Sequence, residues 1–131
     1  MHRLLPVALV LILLGATVAR SEQSQKALTV IDFRQELGLS ADQVSRIQVN
    51  LASLRKQMRD CQSRRVALQA QLNQLLEDSA QLATVRLKLE EIADQQVESQ
   101  MADIATARTI RAVLSPDQFK KWQGLQVKNA P

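Results

Sequence analysis

The chain has 131 residues, enough for one small domain, and a formal net charge of +4, an excess too small to indicate a nucleic-acid-binding protein. Aromatic residues make up only 2% of the chain, and three glycines and three prolines give a composition typical of long helices. The sequence has no pairing of a nucleophile with a base, no glycine-rich phosphate loop and no histidine after His2. We therefore predict an all-helical protein that is not an enzyme and has no cofactor.

The first 19 residues have the pattern of a secretory signal peptide. His2 and Arg3 precede an apolar run over 4–14, which is too short for a comfortable membrane span, and Thr17 and Ala19 have the spacing that a signal peptidase favours. We predict cleavage after Ala19, followed by a flexible segment over 20–28. The alternative is an uncleaved segment that anchors the chain to the inner membrane, which also places the protein outside the cytoplasm.

A short helix and then a long one are predicted next. The apolar residues Val30, Ile31, Phe33 and Leu37 indicate a short helix that ends at Gly38. From residue 44 onward, apolar side chains recur in alternating steps of three and four, which predicts a single helix over 41–76 with a heptad seam. The seam positions are Val44, Ile47, Leu51, Leu54, Met58, Cys61, Arg65, Leu68, Leu72 and Leu75.

A second long helix is predicted over 81–113. Asp78 is expected to cap it, with Gln81 completing a capping box. Its apolar residues change phase between Ile92 and Val97, as a four-residue stutter would produce. The predicted seam is Leu82, Val85, Leu89, Ile92, Val97, Met101, Ile104, Ala107, Ile110 and Leu114.

Two helices of matched length with a short connection predict an antiparallel hairpin. Charge supports this pairing, because residues 55–65 are mostly basic while residues 90–103 carry acidic groups and no cation. A turn centred near 78–79 places the two blocks side by side and Arg65 near Glu91 and Asp94. We interpret Arg65 as part of a partly buried ion pair; the alternative is a polar position that faces solvent or a ligand.

The sequence LSADQ at 39–43 is nearly repeated as LSPDQ at 114–118. Each copy has a serine suited to cap a helix and a glutamine three residues later, which is the pattern of a capping box. The leucine before each serine is placed to staple the chain onto the following helix. The hairpin register brings both copies together at the open end, far from the turn. The motif residues are Leu39, Ser40, Gln43, Leu114, Ser115 and Gln118.

The second copy starts a predicted third helix, which runs from Pro116 to about residue 126. Phe119, Trp122 and Leu125 lie on one face of this helix. With Phe33, they gather the aromatic residues at the open end. We interpret this group as a small core that closes the hairpin; the alternative is the aromatic edge of a binding surface.

Leu-Ser-x-x-Gln at the head of a long helix, and again at the head of a short last one, resembles the LTxxQ signature of the Spy/CpxP family of small exported proteins. Both copies have Ser where the family usually has Thr. The signal peptide, the long hairpin and the scarcity of glycine agree, and the likeness covers residues 29–127, leaving 128–131 as a disordered tail. The resemblance implies an all-helical, usually dimeric protein in the periplasm of Gram-negative bacteria.

The resemblance also implies a role in envelope stress. Spy-like members are chaperones that hold unfolding proteins on a cradle-shaped surface without ATP, and CpxP-like members also damp an envelope-stress sensor. The expected partners are unfolded or misfolded envelope proteins, or the periplasmic domain of a membrane sensor, and a second copy of the chain. Apolar residues off the seams remain to be covered, namely Val49, Val66, Leu76 and Leu87. The candidate basic rim of the client-binding surface is Arg46, Arg55, Lys56, Arg59, Arg86 and Lys88.

The alternative that the resemblance implies is a metal-responsive sensor or resistance protein of the CnrX/ZraP type, acting on a membrane signalling partner. The sequence fits this role poorly, because His2 leaves with the signal and imidazole is the usual ligand for nickel, zinc or cobalt. A Cu(I) site from Met58, Cys61 and Met101 is conceivable, although Met and Cys on a helical seam are usually core. As the single cysteine, Cys61 is either a buried thiol or paired with a second chain.

Overall fold

The computed structural model describes residues 29–129, and every regular element in this range is helical. A short 3-10 helix, Val30–Phe33, precedes three α-helices: α1 spans Ala41–Glu77, α2 spans Leu82–Val113 and α3 spans Pro116–Lys128. The predicted all-helical class is confirmed. The predicted signal peptide and the segment over 20–28 lie outside the described residues. Among the helices between residues 29 and 129, none is both long enough and apolar enough to cross a bilayer.

Helix α1 buries the heptad seam that was predicted for it. Ile47, Cys61 and Leu72 are buried, and the other seam positions, including Arg65, are half-buried. The 37 residues of α1 contain no glycine or proline, so the helix extends without a break for about 55 Å. Its inward face is therefore one continuous stripe.

The connection between α1 and α2 differs from the predicted capping box. Asp78 ends α1 rather than starting α2: its backbone N–H donates to the Gln74 carbonyl at 3.0 Å, and its carboxylate accepts from the Gln74 side chain at 3.0 Å. Ser79 then adopts a left-handed φ of 50°, the geometry that terminates many helices. Gln81 precedes α2 without a side-chain cap. The predicted cap is wrong because the last turn of α1 already uses the Asp78 side chain.

The inward face of α2 is also not the predicted apolar seam. The phase shift between Ile92 and Val97 is absent, and the heptad continues through polar residues, with Ser99 buried and Gln95 half-buried. The inward positions are Val85, Lys88, Ile92, Gln95, Ser99, Ala102, Thr106, Ile110 and Val113. Six predicted seam residues are instead exposed, namely Leu82, Leu89, Val97, Met101, Ile104 and Ala107, and the first five of them are 47% to 85% exposed. Apolar spacing misled the prediction because α2 carries more than one such stripe, and a less apolar one faces α1.

Contacts between α1 and α2 show that the two helices run antiparallel. Arg64 pairs with Glu98 at 3.4 Å, and nearer the turn Lys88 donates to Gln71 at 2.9 Å. The predicted basic and acidic blocks therefore adjoin, with a small shift in register. Of the ion pairs within residues 29–129, only Arg64–Glu98 joins the two helices, and the others lie within a single helix. The blocks fix register more than they stabilise the fold.

Arg65 does not contact Glu91 or Asp94 as predicted. Its guanidinium donates to the Gln96 side chain at 2.7 Å and also to the Gln62 side chain. The Arg65 Nε atom is buried and has no hydrogen-bond partner. The seam therefore accommodates this charge through neutral amides on one side of the hairpin.

The open end of the hairpin, away from the Ser79 turn, contains most of the core. Of the seven hydrophobic residues buried within 29–129, five lie here: Val30, Leu37, Ile47, Val113 and Leu114. Gly38 takes a left-handed φ of 64° that lets the chain turn from this core into α1. Half-buried side chains pack around the core, including Phe33, Leu51, Phe119, Trp122 and Leu125. The core thus joins both ends of the described chain to the hairpin.

Candidate functional site

The first of the two repeated motifs forms a complete capping box at the start of α1. The Gln43 backbone N–H donates to Ser40 Oγ at 3.1 Å, and the Ser40 N–H donates to Gln43 Oε1 at 3.0 Å. These two bonds satisfy amide groups that a helix N-terminus otherwise leaves unpaired. The predicted cap of α1 is confirmed.

The second motif forms the same box at the start of α3. The Gln118 N–H donates to Ser115 Oγ at 3.2 Å, and the Ser115 N–H donates to Gln118 Oε1 at 2.9 Å. Pro116 occupies the first helical position, where its missing N–H is not needed. The leucines that precede the serines, Leu39 and Leu114, both pack in the open-end core. The near-repeat therefore marks two helix starts of one design.

The two capping boxes are joined directly through their glutamines. Gln43 Nε2 donates to Gln118 Oε1 at 2.8 Å, and Gln118 Nε2 donates to Gln43 Oε1 at 3.2 Å. The prediction that both motifs meet at the open end is confirmed, but the reciprocal amide pair was not anticipated. The signal for it was the identical placement of a glutamine, rather than glutamate, at the third helical position of each motif, because only an amide can donate as well as accept.

The two glutamine side chains also donate hydrogen bonds to backbone carbonyls of two further segments. Gln43 Nε2 donates to the Val113 carbonyl at 3.0 Å, at the end of α2. Gln118 Nε2 donates to the Leu37 and Gly38 carbonyls, each at 3.3 Å. We call this arrangement the amide latch, consisting of Ser40, Gln43, Ser115 and Gln118. It ties the segment before α1, the end of α2 and the start of α3 into one unit, which is a structural role.

The three aromatic residues gather at the open end, as predicted, where they pack against the core. The rings of Phe33 and Trp122 lie 5.6 Å apart at 55°, and the Arg111 guanidinium lies 4.4 Å from the centre of the Phe119 ring. A groove of about 310 Å³ runs next to them, with Leu51 and other core side chains among its walls. All three aromatic residues pack against the open-end core, and Phe119 and Trp122 also line the groove.

The turn end of the hairpin has a different surface. Gln62 of α1 and Gln96 of α2 both bond Arg65, so these two positions lie on the same side of the hairpin. Steps of seven residues toward the turn lead from Gln62 to Leu76, and from Gln96 to Leu89 and Leu82. The three leucines therefore share that side near the turn.

Val66, one helical turn after Gln62, extends the same surface. We call these four residues the turn-end patch: Val66, Leu76, Leu82 and Leu89. Their side chains are 60%, 57%, 85% and 50% exposed, respectively. The predictions that Val49, Val66, Leu76 and Leu87 lie off the seams are confirmed, since all four are 57% to 68% exposed. An apolar surface of this kind is a candidate interaction site.

The six residues of the predicted basic rim divide into three groups. Arg46, Lys56 and Arg86 are exposed and pair with carboxylates of their own helix, at 3.9, 2.9 and 2.9 Å. Lys88 differs, because only 18% of its side chain is exposed and it bonds Gln71 and Glu91 at the inter-helix seam. Lys88 is therefore part of the hairpin packing.

Arg55 and Arg59 are exposed and form no ion pair with any residue between 29 and 129. Arg55 lies seven residues before Gln62, and Arg59 lies one turn after Arg55, so both are on the side of the turn-end patch. The charge of these two arginines is thus available to a ligand.

The ion pair between Lys56 and Asp60 changes the pKa of the Asp60 carboxyl group. A hydrogen bond from the Lys56 ammonium, together with its charge, lowers the pKa of Asp60 below its usual range, and the charges of Arg64 and Arg59 act in the same direction. Asp60 therefore stays ionised and partly neutralises the basic block of α1 on the side opposite the turn-end patch.

The three candidate Cu(I) ligands occupy different environments. Cys61 is a free thiol, 6% exposed in the seam, with Met58 half-buried one turn before it. Met101 is 59% exposed on the outward side of α2. Between residues 29 and 129 there is no group of three or more His, Cys, Asp or Glu side chains placed to hold a metal ion.

Comparisons of the chain with protein-family models, with curated proteins and with solved structures found no match. The exposed residues of the turn-end patch therefore carry the functional inference, since the amide latch has a structural role.

Proposed function

We propose that this protein is a periplasmic, ATP-independent chaperone that holds unfolded or misfolded envelope proteins on the turn-end patch. The observation that carries the proposal is the exposure of Leu76, Leu82 and Leu89 on one side of a hairpin whose buried core lies mostly at the other end. Side chains of this size are usually covered in a folded protein, and a cluster of them on a monomer marks a contact surface. The signal-peptide pattern in the first 19 residues supports export.

The physical properties of the patch suit weak and unselective binding. Complete burial of one leucine is worth about 1.5–3 kcal/mol, so partial coverage of the patch, less the cost of ordering the bound chain, supports affinities in the millimolar to micromolar range. Binding of this strength allows a client to be released without ATP hydrolysis. All four residues of the patch are aliphatic, so the patch itself offers no polar group that would select one sequence.

Charge adds a preference for clients with acidic groups. Arg55 and Arg59 lie on the side of the patch and have no internal ion pair in the described chain. Exposed cations raise the rate of encounter with negatively charged partners, and salt screens this effect. The same surface suits a role as an accessory that binds the periplasmic domain of an envelope-stress sensor.

The test is suppression of aggregation by the protein lacking residues 1–19, at an equimolar ratio to a denatured client. We expect the double variant Leu82→Gln, Leu89→Gln to lose most of the suppression. Leu87→Gln is the matched control, because Leu87 is 62% exposed on the same helix but two residues from Leu89, on the other side of the hairpin. A wild-type protein that suppresses nothing, or a control that loses as much activity as the double variant, would contradict the proposal.

The electrostatic part is tested separately. Arg55→Gln with Arg59→Gln is expected to slow client capture and to flatten its dependence on salt, whereas Arg46→Gln, which removes a cation already paired with Asp42, is expected to change neither. An effect of Arg46→Gln about half as large as that of the double variant would show that only net charge matters, since the double variant removes two charges and Arg46→Gln removes one.

A further inference from the structure

A groove lies between α1 and α2 near the middle of the hairpin, on the side opposite the turn-end patch. Arg64 and Glu98 line it, and they lie two residues beyond Gln62 and Gln96, which are on the side of the patch. Two residues turn a helix by about 200°, so the groove and the patch are on opposite sides. We call it the mid-rod groove; its volume is about 370 Å³.

The two helices contribute different chemistry to the mid-rod groove. Ala67 and Leu68 of α1 form an apolar wall, and α2 contributes the exposed carboxylates of Glu91, Asp94 and Glu98. Successive carboxylate positions are about 4.5 and 6 Å apart along the axis of α2, from a rise of 1.5 Å per residue. The groove therefore joins a row of negative groups to an apolar strip.

Two cations of the hairpin offset part of this negative charge. Arg64 pairs with Glu98 at 3.4 Å, and Lys88 pairs with Glu91 at 3.0 Å. Asp94, which lies between the two glutamates, forms no ion pair within the described part of the chain. An ionised carboxylate has about four acceptor sites, so both glutamates can accept a further donor and keep these partners. The groove thus retains an excess of negative charge centred on Asp94.

A buried acceptor without a partner lies next to Asp94. Gln95 is half-buried and lines the groove, and its Oε1 atom is buried and has no hydrogen-bond partner. A buried oxygen without a donor is unfavourable, so a ligand that brings an N–H group to it is favoured over one that has none. Between residues 29 and 129, no three carboxylates are placed to hold a single metal ion. The groove therefore suits an elongated cation whose charges are spread along an apolar chain.

We propose that the mid-rod groove binds a linear alkyl polyamine, with its ammonium groups along Glu91, Asp94 and Glu98. Nitrogens separated by three or four methylene groups lie about 5 or 6 Å apart in an extended chain, from standard bond lengths, which matches the spacing of the carboxylates. The methylene groups pack on the apolar wall. The central nitrogen donates to Asp94 and, after rotation of the amide, to Gln95 Oε1.

Binding is tested by NMR titration of the protein lacking residues 1–19 with spermidine, a triamine. We expect saturable shifts of the backbone amide signals over 91–98 and of the Gln95 side-chain amide, with a dissociation constant roughly in the millimolar to micromolar range. Butylamine, which has one ammonium group, and Mg²⁺ are the controls at equal ionic strength, and each is expected to bind about tenfold more weakly or less. Equal shifts with either control would overturn the proposal, because these ions only screen charge.

The position of the site is tested by removing one carboxylate. Asp94→Asn is expected to weaken spermidine binding by roughly threefold to tenfold, because it removes the central charged acceptor. Asp103→Asn is the matched control, since Asp103 is also exposed on α2 without an ion pair in the described chain, but lines the groove at the open end. Equal losses for the two variants would show attraction to net charge alone and would overturn the site.

The role of the buried acceptor is tested with Gln95→Met. This variant is expected to bind spermidine more weakly but to unfold at no lower denaturant concentration, because the Oε1 atom has no partner to lose. Circular dichroism verifies that the variant is folded. Unchanged affinity in the folded variant would overturn the bond to Gln95.

A lysine-rich polypeptide segment could supply the same ammonium groups. Trilysine with both termini blocked carries three charges, like spermidine, and is expected to bind more weakly because its charges sit on separate side chains that must be ordered. Tighter binding of the peptide would overturn the polyamine as the occupant.

The site is independent of the proposed chaperone function, because Leu82 and Leu89 lie on the other side of the hairpin. Asp94→Asn is therefore expected to leave suppression of aggregation unchanged. Loss of spermidine binding with intact suppression refutes only the mid-rod site, and the reverse pattern refutes only the chaperone function.

Discussion

The two ends of the hairpin differ in how far their apolar and polar side chains are covered. At the open end, five buried residues, three aromatic rings and the amide latch satisfy both apolar and polar groups. At the turn end, the helices touch along a single seam, and Leu76, Leu82 and Leu89 face solvent. The difference shows that stability and surface chemistry are separated along one 55 Å rod. The open end sets the structure, which leaves the turn end free to carry side chains that folding does not use.

The largest expected effect on stability comes from comparing the same kind of substitution, a large apolar residue to alanine, at the two ends. Ile47→Ala at the fully buried open-end position is expected to lower the free energy of unfolding by about 2–5 kcal/mol, through lost burial and the cavity left behind. Leu82→Ala at the 85% exposed turn-end position is expected to change it by less than about 0.5 kcal/mol. Urea unfolding followed by circular dichroism measures both, and similar losses at both sites would remove the contrast between the ends.

The next prediction concerns the polar part of the open end, the amide latch, and its contribution to stability. Gln43→Ala is expected to cost about 1–3 kcal/mol, because it removes a partner of Ser40, Val113 and Gln118 together. Gln43→Glu is the informative control, since a glutamate can still accept from the Ser40 N–H but cannot donate to the Val113 carbonyl. If the bonds of the latch stabilise the fold in addition to the capping box, the midpoint of thermal unfolding should be clearly lower for Gln43→Glu than for the wild type.

Coupling between the two motifs is measured by a double-mutant cycle. The combined loss for Gln43→Ala with Gln118→Ala is expected to be smaller than the sum of the single losses by roughly 0.5–2 kcal/mol, because the two side chains bond each other. Additive losses would mean that each box acts only as a cap on its own helix. Ser45→Ala, at an exposed position of α1, serves as the independent reference for additivity.

A smaller effect is expected in the middle of the rod, where the seam is imperfect. Arg65→Met replaces a half-buried guanidinium, whose Nε has no hydrogen-bond partner, with an apolar side chain that suits a seam position. We expect the free energy of unfolding to rise by about 1 kcal/mol or less. A loss of stability in chemical denaturation would show that the bonds to Gln62 and Gln96 outweigh the cost of burying the charge.

The smallest effect is electrostatic and local to α1. Since the pKa of Asp60 is lowered in the folded protein, its contribution is present above the pKa of the unfolded chain and is lost as the pH falls through the lower, folded value. Lys56→Met removes the main cause, so an NMR titration should find the Asp60 pKa closer to its usual range, with little change in unfolding midpoint. An unchanged pKa would assign the shift to Arg64 and Arg59.

Sequence patterns were sufficient for α1 and the motifs but not for the face of α2. In α1 the apolar residues form one stripe, so spacing alone identifies the inward side. In α2 the inward stripe includes Lys88, Gln95 and Ser99, while Val97 and Ile104 form a stripe on the outside. A prediction from hydrophobicity places the more apolar stripe of α2 against α1. In the structure, the geometry of the turn instead directs the less apolar stripe toward α1. The residues that were wrongly predicted to face α1, such as Val97 and Ile104, are therefore the ones exposed to other molecules.

The amide latch was beyond pattern analysis for a different reason. A capping box is a local arrangement, and each copy of the motif predicts its own helix start. The bonds between Gln43 and Gln118 join positions 75 residues apart and depend on the orientation of both amides. Such a contact follows from the hairpin register, which had to be accurate to within a residue or two; the register expected from the turn position matches the Gln43–Val113 contact at the open end but is offset at Arg64–Glu98. Identical spacing in the two motifs suggested proximity but not direct bonding.

The latch also sets where the segment that precedes Thr29 meets the hairpin. Because it bonds the carbonyls of Leu37 and Gly38, whatever precedes Thr29 joins the rod at the open end. A tether at that point would hold the exposed leucines roughly 50 Å away from its anchor, at the far tip of a stiff arm. That separation is several times the screening length of about 10 Å at 0.1 M salt, so the tip would sample its surroundings unaffected by charges on the anchoring surface.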